Sequence, residues 1–69
     1  MTMKFMLQNN IKKLRQERNQ TQEDLASELG VSRQTVIAIE KGNYAPSLLL
    51  AMQIAEHFGK PIEHIFKRQ

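Results

Sequence analysis

Residues 22–40 read QEDLASELGVSRQTVIAIE: two amphipathic stretches with apolar positions at helical spacing, separated by one glycine-containing break. A chain carrying that pattern is held to two short helices meeting at a tight corner. Thr21 offers a hydroxyl to an orphan N–H of the first helix, and Glu23 and Asp24 place negative charge at its positive end. Leu25, Ala26 and Leu29 form its inner stripe. Gly30 follows where the chain needs a left-handed residue to leave the helix. Val31 plugs the corner, and Ser32 repeats the capping chemistry for the second helix. The turn is only about three residues, short enough to join two helices at a steep angle.

In the second helix Val36 and Ile39 set the inward direction, which turns Gln34, Ile37, Ala38 and Lys41 outward, with Arg33 at the leading edge. That outer set suits entry into a DNA groove. Arginine grips guanine bidentately, glutamine grips adenine, alanine permits close approach, and Ile37 can touch a thymine methyl. A solvated helix face would account for Arg33, Gln34 and Lys41, but Ile37 and Ala38 are odd choices for a surface that only meets water.

The pattern extends well beyond one motif. Ile11, Leu14 with Arg15, Thr21 with Gln22, Leu25 with Ala26, LGVS from Leu29 to Ser32, IEKG from Ile39 to Gly42, Pro46, Ile54 with Ala55, and Ile65 with Phe66 fall at set spacings. With these, the chain from about Leu7 to Phe66 resembles the Xre family of bacterial and phage regulators, the Cro/cI-type helix-turn-helix proteins. The resemblance implies an all-α, five-helix fold like the lambda repressor DNA-binding domain. Residues 1–69 would be a single domain with the motif at 22–40. It further implies base contacts for Arg33, Gln34, Ile37 and Ala38 in the major groove. Phosphate contacts would come from Gln22, Thr35, Lys41, Asn43 and Tyr44, with Gln22 also bracing Gln34 or Arg33.

Arg15 lies on the apolar stripe of Leu7, Ile11, Leu14 and Arg18, and Glu40 falls on the flank of its helix nearer Val36 and Ile39 than the outer face. Opposite charges turned inward are most cheaply explained as partners, because an unpaired one would carry a heavy desolvation cost. An Arg15–Glu40 ion pair is therefore expected, and the resembled family pairs an arginine and a glutamate at these positions. The alternative is that both side chains snorkel to water.

After the loop, Pro46 ends the irregular stretch and Ser47 caps a helix LLLAMQIAEHF, with Leu48, Leu50, Ala51, Ile54, Ala55 and Phe58 expected inside. Gly59 closes it, Pro61 suits the first position of a fifth helix, and Ile62, Ile65 and Phe66 give that helix an apolar side. Leu49 and Met52 are surplus, either as scattered surface hydrophobes or as part of a subunit contact. Met1, Met3, Phe5 and Leu7 alternate with Thr2, Lys4 and Met6 as in a strand, for which the tail from Phe66 to Gln69 is the candidate partner; fraying of both termini is the alternative. One copy of such a domain touches few base pairs, so a two-fold homodimer on a palindromic operator of double-stranded DNA is expected. Its contact is expected among Leu49, Met52, Phe58, Ile62, Ile65 and Phe66.

A domain of 69 residues buries only about 60% of its unfolded surface, so stability should be modest. The net charge of +3 favours a polyanionic partner without demanding one. The absence of cysteine removes disulfides and thiolate metal sites, and no run reaches the roughly 20 apolar residues of a membrane span. A cytoplasmic location is expected. His57 and His64 are separated by Gly59 and Pro61, which break any shared helix face, and no serine has a base nearby, so neither a metal nor an enzyme is expected. No cofactor or small-molecule ligand is evident. The expected function is a sequence-specific DNA-binding regulator, most naturally a repressor. The competing class is an antitoxin or protein-interaction module, although no toxin-wrapping disordered tail is visible.

Overall fold

Four left-handed residues, Asn19, Gly30, Gly42 and Gly59, divide the chain into its helices. The computed structural model describes residues 7–68. These form strand β1 (Leu7–Asn9), helices α1 (Ile11–Glu17), α2 (Gln22–Leu29), α3 (Arg33–Glu40), α4 (Leu48–Phe58) and α5 (Ile62–Ile65), and strand β2 (Phe66–Arg68).

At each of the four breaks the same pair of reversed hydrogen bonds closes the helix. Gly30 N–H donates to the Ser27 carbonyl and Val31 N–H to that of Ala26; Gly42 donates to Ile39 and Asn43 to Ala38. This arrangement satisfies carbonyls that a helix end would otherwise orphan. At Gly30 a Cβ would meet nothing within 4 Å, so the demand for glycine comes from its φ of 72° alone. Asn19, with φ 56°, is the side-chain-bearing residue type best suited to that region.

The starts of α2, α3 and α4 are capped by hydroxyls. Thr21 Oγ1 accepts from Asp24 N–H at 2.9 Å, Ser32 Oγ from Thr35 N–H at 3.1 Å, and Ser47 Oγ from Leu50 N–H at 3.1 Å. Asp24 returns the favour by accepting from Thr21 N–H at 2.9 Å, which completes a capping box. The backbone N–H of Thr21, and then its hydroxyl, hold the Asp24 carboxyl below the ordinary value of 3.8. A carboxylate with a lowered pKa contributes its stability above the unfolded value, so the box weakens only as the pH falls through the lower, folded one.

The core forms where α1 to α5 converge, with Ile11, Leu25, Val36, Ile39, Ile54 and Ile65 almost wholly withdrawn from solvent. β1 and β2 run antiparallel, pairing Leu7 with Arg68, Gln8 with Lys67 and Asn9 with Phe66. Of the two readings open for the termini, a paired ribbon or fraying, the ribbon is the one present in residues 7–9 and 66–68, while the Met1, Met3 and Phe5 portion lies outside the described residues.

Several expectations need correction. Leu7 belongs to β1 and not to the stripe of α1, because the helix begins only at Ile11. Leu48 is 73% exposed, since as the first residue of α4 it precedes the turn that reaches the core. Pro61 caps α5 with an extended ψ of 149° in place of its first helical turn. Arg18 is exposed and does not pack inward: its guanidinium donates to the carbonyls of His57 at 2.9 Å and Phe58 at 3.3 Å, and lies 5.3 Å from the Phe58 ring centroid. A cation thereby closes the negative end of α4.

Candidate nucleic-acid interface

The second helix of the corner, α3, spends its inner side on Val36 and Ile39 and its first turn on the Ser32 cap. What remains on its outer side is Arg33 and Gln34, both exposed, followed by Ile37 and Ala38, both half-buried. The half-burial of the latter two departs from the outward direction expected for them. Thr35 is half-buried, with its hydroxyl 2.9 Å from that of Ser32.

Polar groups flank both ends of α3. Beside Arg33, an open cleft of roughly 590 Å³ is lined by Lys12, Arg15, Asn19, Gln20, Thr21, Gln22 and the acidic Glu23, which brings the amino end of α2 to the same place. Beyond Glu40, Lys41, Asn43 and Tyr44 are exposed on the turn closed by Gly42. With its side chains an α-helix is about 10–12 Å across, which fits the width of about 12 Å of the B-DNA major groove. The arrangement can place donors at both walls of a groove while side chains near Ser32 reach its floor.

Beneath α3 lies an ion-pair network. Arg15 Nε donates to Glu40 Oε2 at 2.7 Å and its Nη2 to Oε1 at 3.2 Å, a two-pronged pairing with the side chains only 9% and 5% exposed. Arg15 Nη1 donates to the Gln20 carbonyl at 2.8 Å, and Gln22 Nε2 donates to Glu40 Oε1 at 3.1 Å. One carboxylate therefore ties α1, α2 and α3 together. Gln22 braces Glu40, not Gln34 or Arg33 as expected, because the carboxylate is the stronger acceptor and sits closer to the core side of the corner.

The residues expected at a subunit contact divide sharply. Phe58, Ile65 and Phe66 are 4%, 0% and 8% exposed and already belong to the protomer's own core, so they have no surface to offer. Ile62 is half-buried against that core. Leu49 and Met52 are exposed, joined by Leu48 on the same end of α4. The histidines also separate: His57 is half-buried with Nε2 3.1 Å from Gln20 Oε1, while His64 is exposed. Among the described residues, no group of three His, Asp or Glu side chains is placed to hold a metal, and no helix is long and apolar enough to cross a membrane.

Sequence reading passed over Asn9 and Asn10. Asn9 Nδ2 donates to the Ile39 carbonyl of α3 at 2.8 Å, its Oδ1 accepts from Ile11 N–H at 3.2 Å, and Asn10 Nδ2 donates to the His64 carbonyl at 2.9 Å. Two adjacent asparagines ahead of a helix were the available signal, but their partners lie 30 and 54 residues away.

Residues 11–65 match the family HTH_3, described as helix-turn-helix. The chain is 62% identical over 60 residues to the uncharacterized HTH-type transcriptional regulator MJ0272 of Methanocaldococcus jannaschii, covering 87% of this chain and 91% of that one. It is 37% identical over 60 residues to the cryptic phage CTXphi transcriptional repressor RstR of Vibrio cholerae, covering 87% of this chain and 54% of RstR. Its fold is similar to the crystal structure of transcriptional regulator VanUg, with a TM-score of 0.76 at 22% identity over 99% of this chain and 91% of that one.

Proposed function

This chain belongs to the helix-turn-helix family HTH_3, a class of DNA-binding transcriptional regulators and not of enzymes, and on that premise we propose that it is a sequence-specific repressor acting as a homodimer on a palindromic operator. α3 enters the major groove, where Arg33 and Gln34 read base edges and Ile37 and Ala38 approach the groove floor. Gln22, Thr35, Lys41, Asn43 and Tyr44 contact phosphates on either side. Leu49 and Met52, with Ile62 at the margin, contact the second copy, which sets two α3 helices about 34 Å apart on one face of the duplex. The name of RstR, a transcriptional repressor, supports the sign of regulation.

The observation that carries this reading is the pair of exposed side chains at the amino end of α3, on a helix whose cap and inner face are already satisfied. Selection from a random oligonucleotide pool is expected to return an inverted repeat with half-sites one helical turn apart. Recovery of no common motif would end the proposal.

On the selected site, Arg33→Ala or Gln34→Ala is expected to cost about 1–3 kcal/mol while leaving mixed-sequence DNA almost unaffected. Equal losses on both duplexes would remove the base-reading assignment. Lys41→Ala is expected to weaken binding to every sequence alike and to lower the salt slope by about one unit, as loss of one phosphate contact requires. An unchanged slope would count against its role.

A further inference from the structure

The exposed clamp at the far end of α3 is latched from outside the helix-turn-helix unit. Ile39 and Ala38 supply the carbonyls that close this end, accepting from Gly42 N–H at 2.9 Å and Asn43 N–H at 3.1 Å. A carbonyl oxygen has two lone pairs, and the second one on Ile39 is taken by Asn9 Nδ2 at 2.8 Å. Asn9 is itself fixed on two sides. Its backbone pairs opposite Phe66 in the ribbon, and its Oδ1 accepts from Ile11 N–H at the start of α1. The half-buried carboxamide therefore joins the terminal ribbon and α1 to the turn that presents Lys41 and Asn43.

We propose that Asn9 is a positioning residue for DNA binding, holding the Lys41–Asn43 turn in the geometry that grips phosphate. This rests on the DNA-binding reading above. The argument is one of populations: a turn freed of its latch spends less time in the gripping geometry, and apparent affinity falls by the fraction lost. Because phosphates carry no sequence, the loss falls equally on all duplexes, unlike that of Gln34→Ala.

Asn9→Asp is the discriminating variant. It keeps an oxygen for Ile11 N–H but replaces the donor facing Ile39 with a second acceptor, so the contact becomes repulsive. Asn10→Ala is the control, since it removes a side-chain bond of the same class that ends on His64 in place of α3. Both are measured at a temperature where each is fully folded by circular dichroism. Asn9→Asp is expected to weaken binding about fivefold on the selected site and on a mixed-sequence duplex alike, the factor that one net hydrogen bond carries. In the protein without DNA, amide exchange at Gly42 and Asn43 is expected to quicken, while Asn10→Ala leaves both readouts as in the parent chain. Unchanged affinity and exchange in Asn9→Asp, or the same losses in Asn10→Ala, would overturn the inference. A parent chain that binds neither duplex while Asn9→Asp still quickens exchange would instead sink the DNA reading and leave the latch standing as a structural contact.

Discussion

Glu40→Ala is expected to destabilise the chain by about 3–5 kcal/mol, enough to consume most of the stability of a domain this small. The charge that remains explains the size of the effect. Arg15 is 7% exposed, and without Glu40 only the Gln20 carbonyl at 2.8 Å still receives its guanidinium. Gln22 loses its acceptor in the same step. Removing both charges is a different operation. Arg15→Met combined with Glu40→Leu abolishes the desolvation cost along with the attraction, so the double variant is expected to lie far closer to the parent than Glu40→Ala, and even above it. Urea unfolding of the three chains at neutral pH provides the comparison. If Glu40→Ala stays within about 1 kcal/mol of the parent, Arg15 has found water and the pair is not buried in the energetic sense. The network then matters for how α3 is oriented only if the folded double variant binds DNA less well than the parent.

The second large effect belongs to Ile54. Together with Ile11, Leu25, Leu29, Val36 and Ile39 it encloses an interstice too small for water, at the place where α1, α2, α3 and α4 meet. Ile54→Ala would leave a void that this convergence cannot easily close, since four helices would have to move at once. A loss of about 2–5 kcal/mol is expected by thermal or chemical denaturation. Gln53→Ala, one residue earlier on the exposed side of α4, should change stability by no more than about 0.5 kcal/mol. Similar losses at the two positions would mean that the core does not close around α4 as described.

How legible each part was depended on how far apart its partners lie. The caps of α2, α3 and α4 were readable because Thr21, Ser32 and Ser47 bond to N–H groups three residues on, and periodicity alone separated Val36 and Ile39 from Arg33 and Gln34. Periodicity misled at α4, where it counted Leu48 as core although the helix had not yet reached the other elements. It also misled for Arg18, whose place on the stripe of α1 proved to be a cap on another helix.

The chain's local pattern thus declared α2, α3 and α4, their hydroxyl caps, the glycines that close α2 and α4, and Arg33 and Gln34 on the outer side of α3, because those features follow from backbone geometry and from neighbours within a turn or two. Tertiary structure alone decided that Phe58, Ile65 and Phe66 were consumed inside the protomer, that Gln22 turned to Glu40, and that Asn9 reached Ile39 across 30 positions. A side chain's inventory of donors and apolar area is written in its residue type, but which group it meets is settled only when the packed elements bring competing partners within about 3 Å.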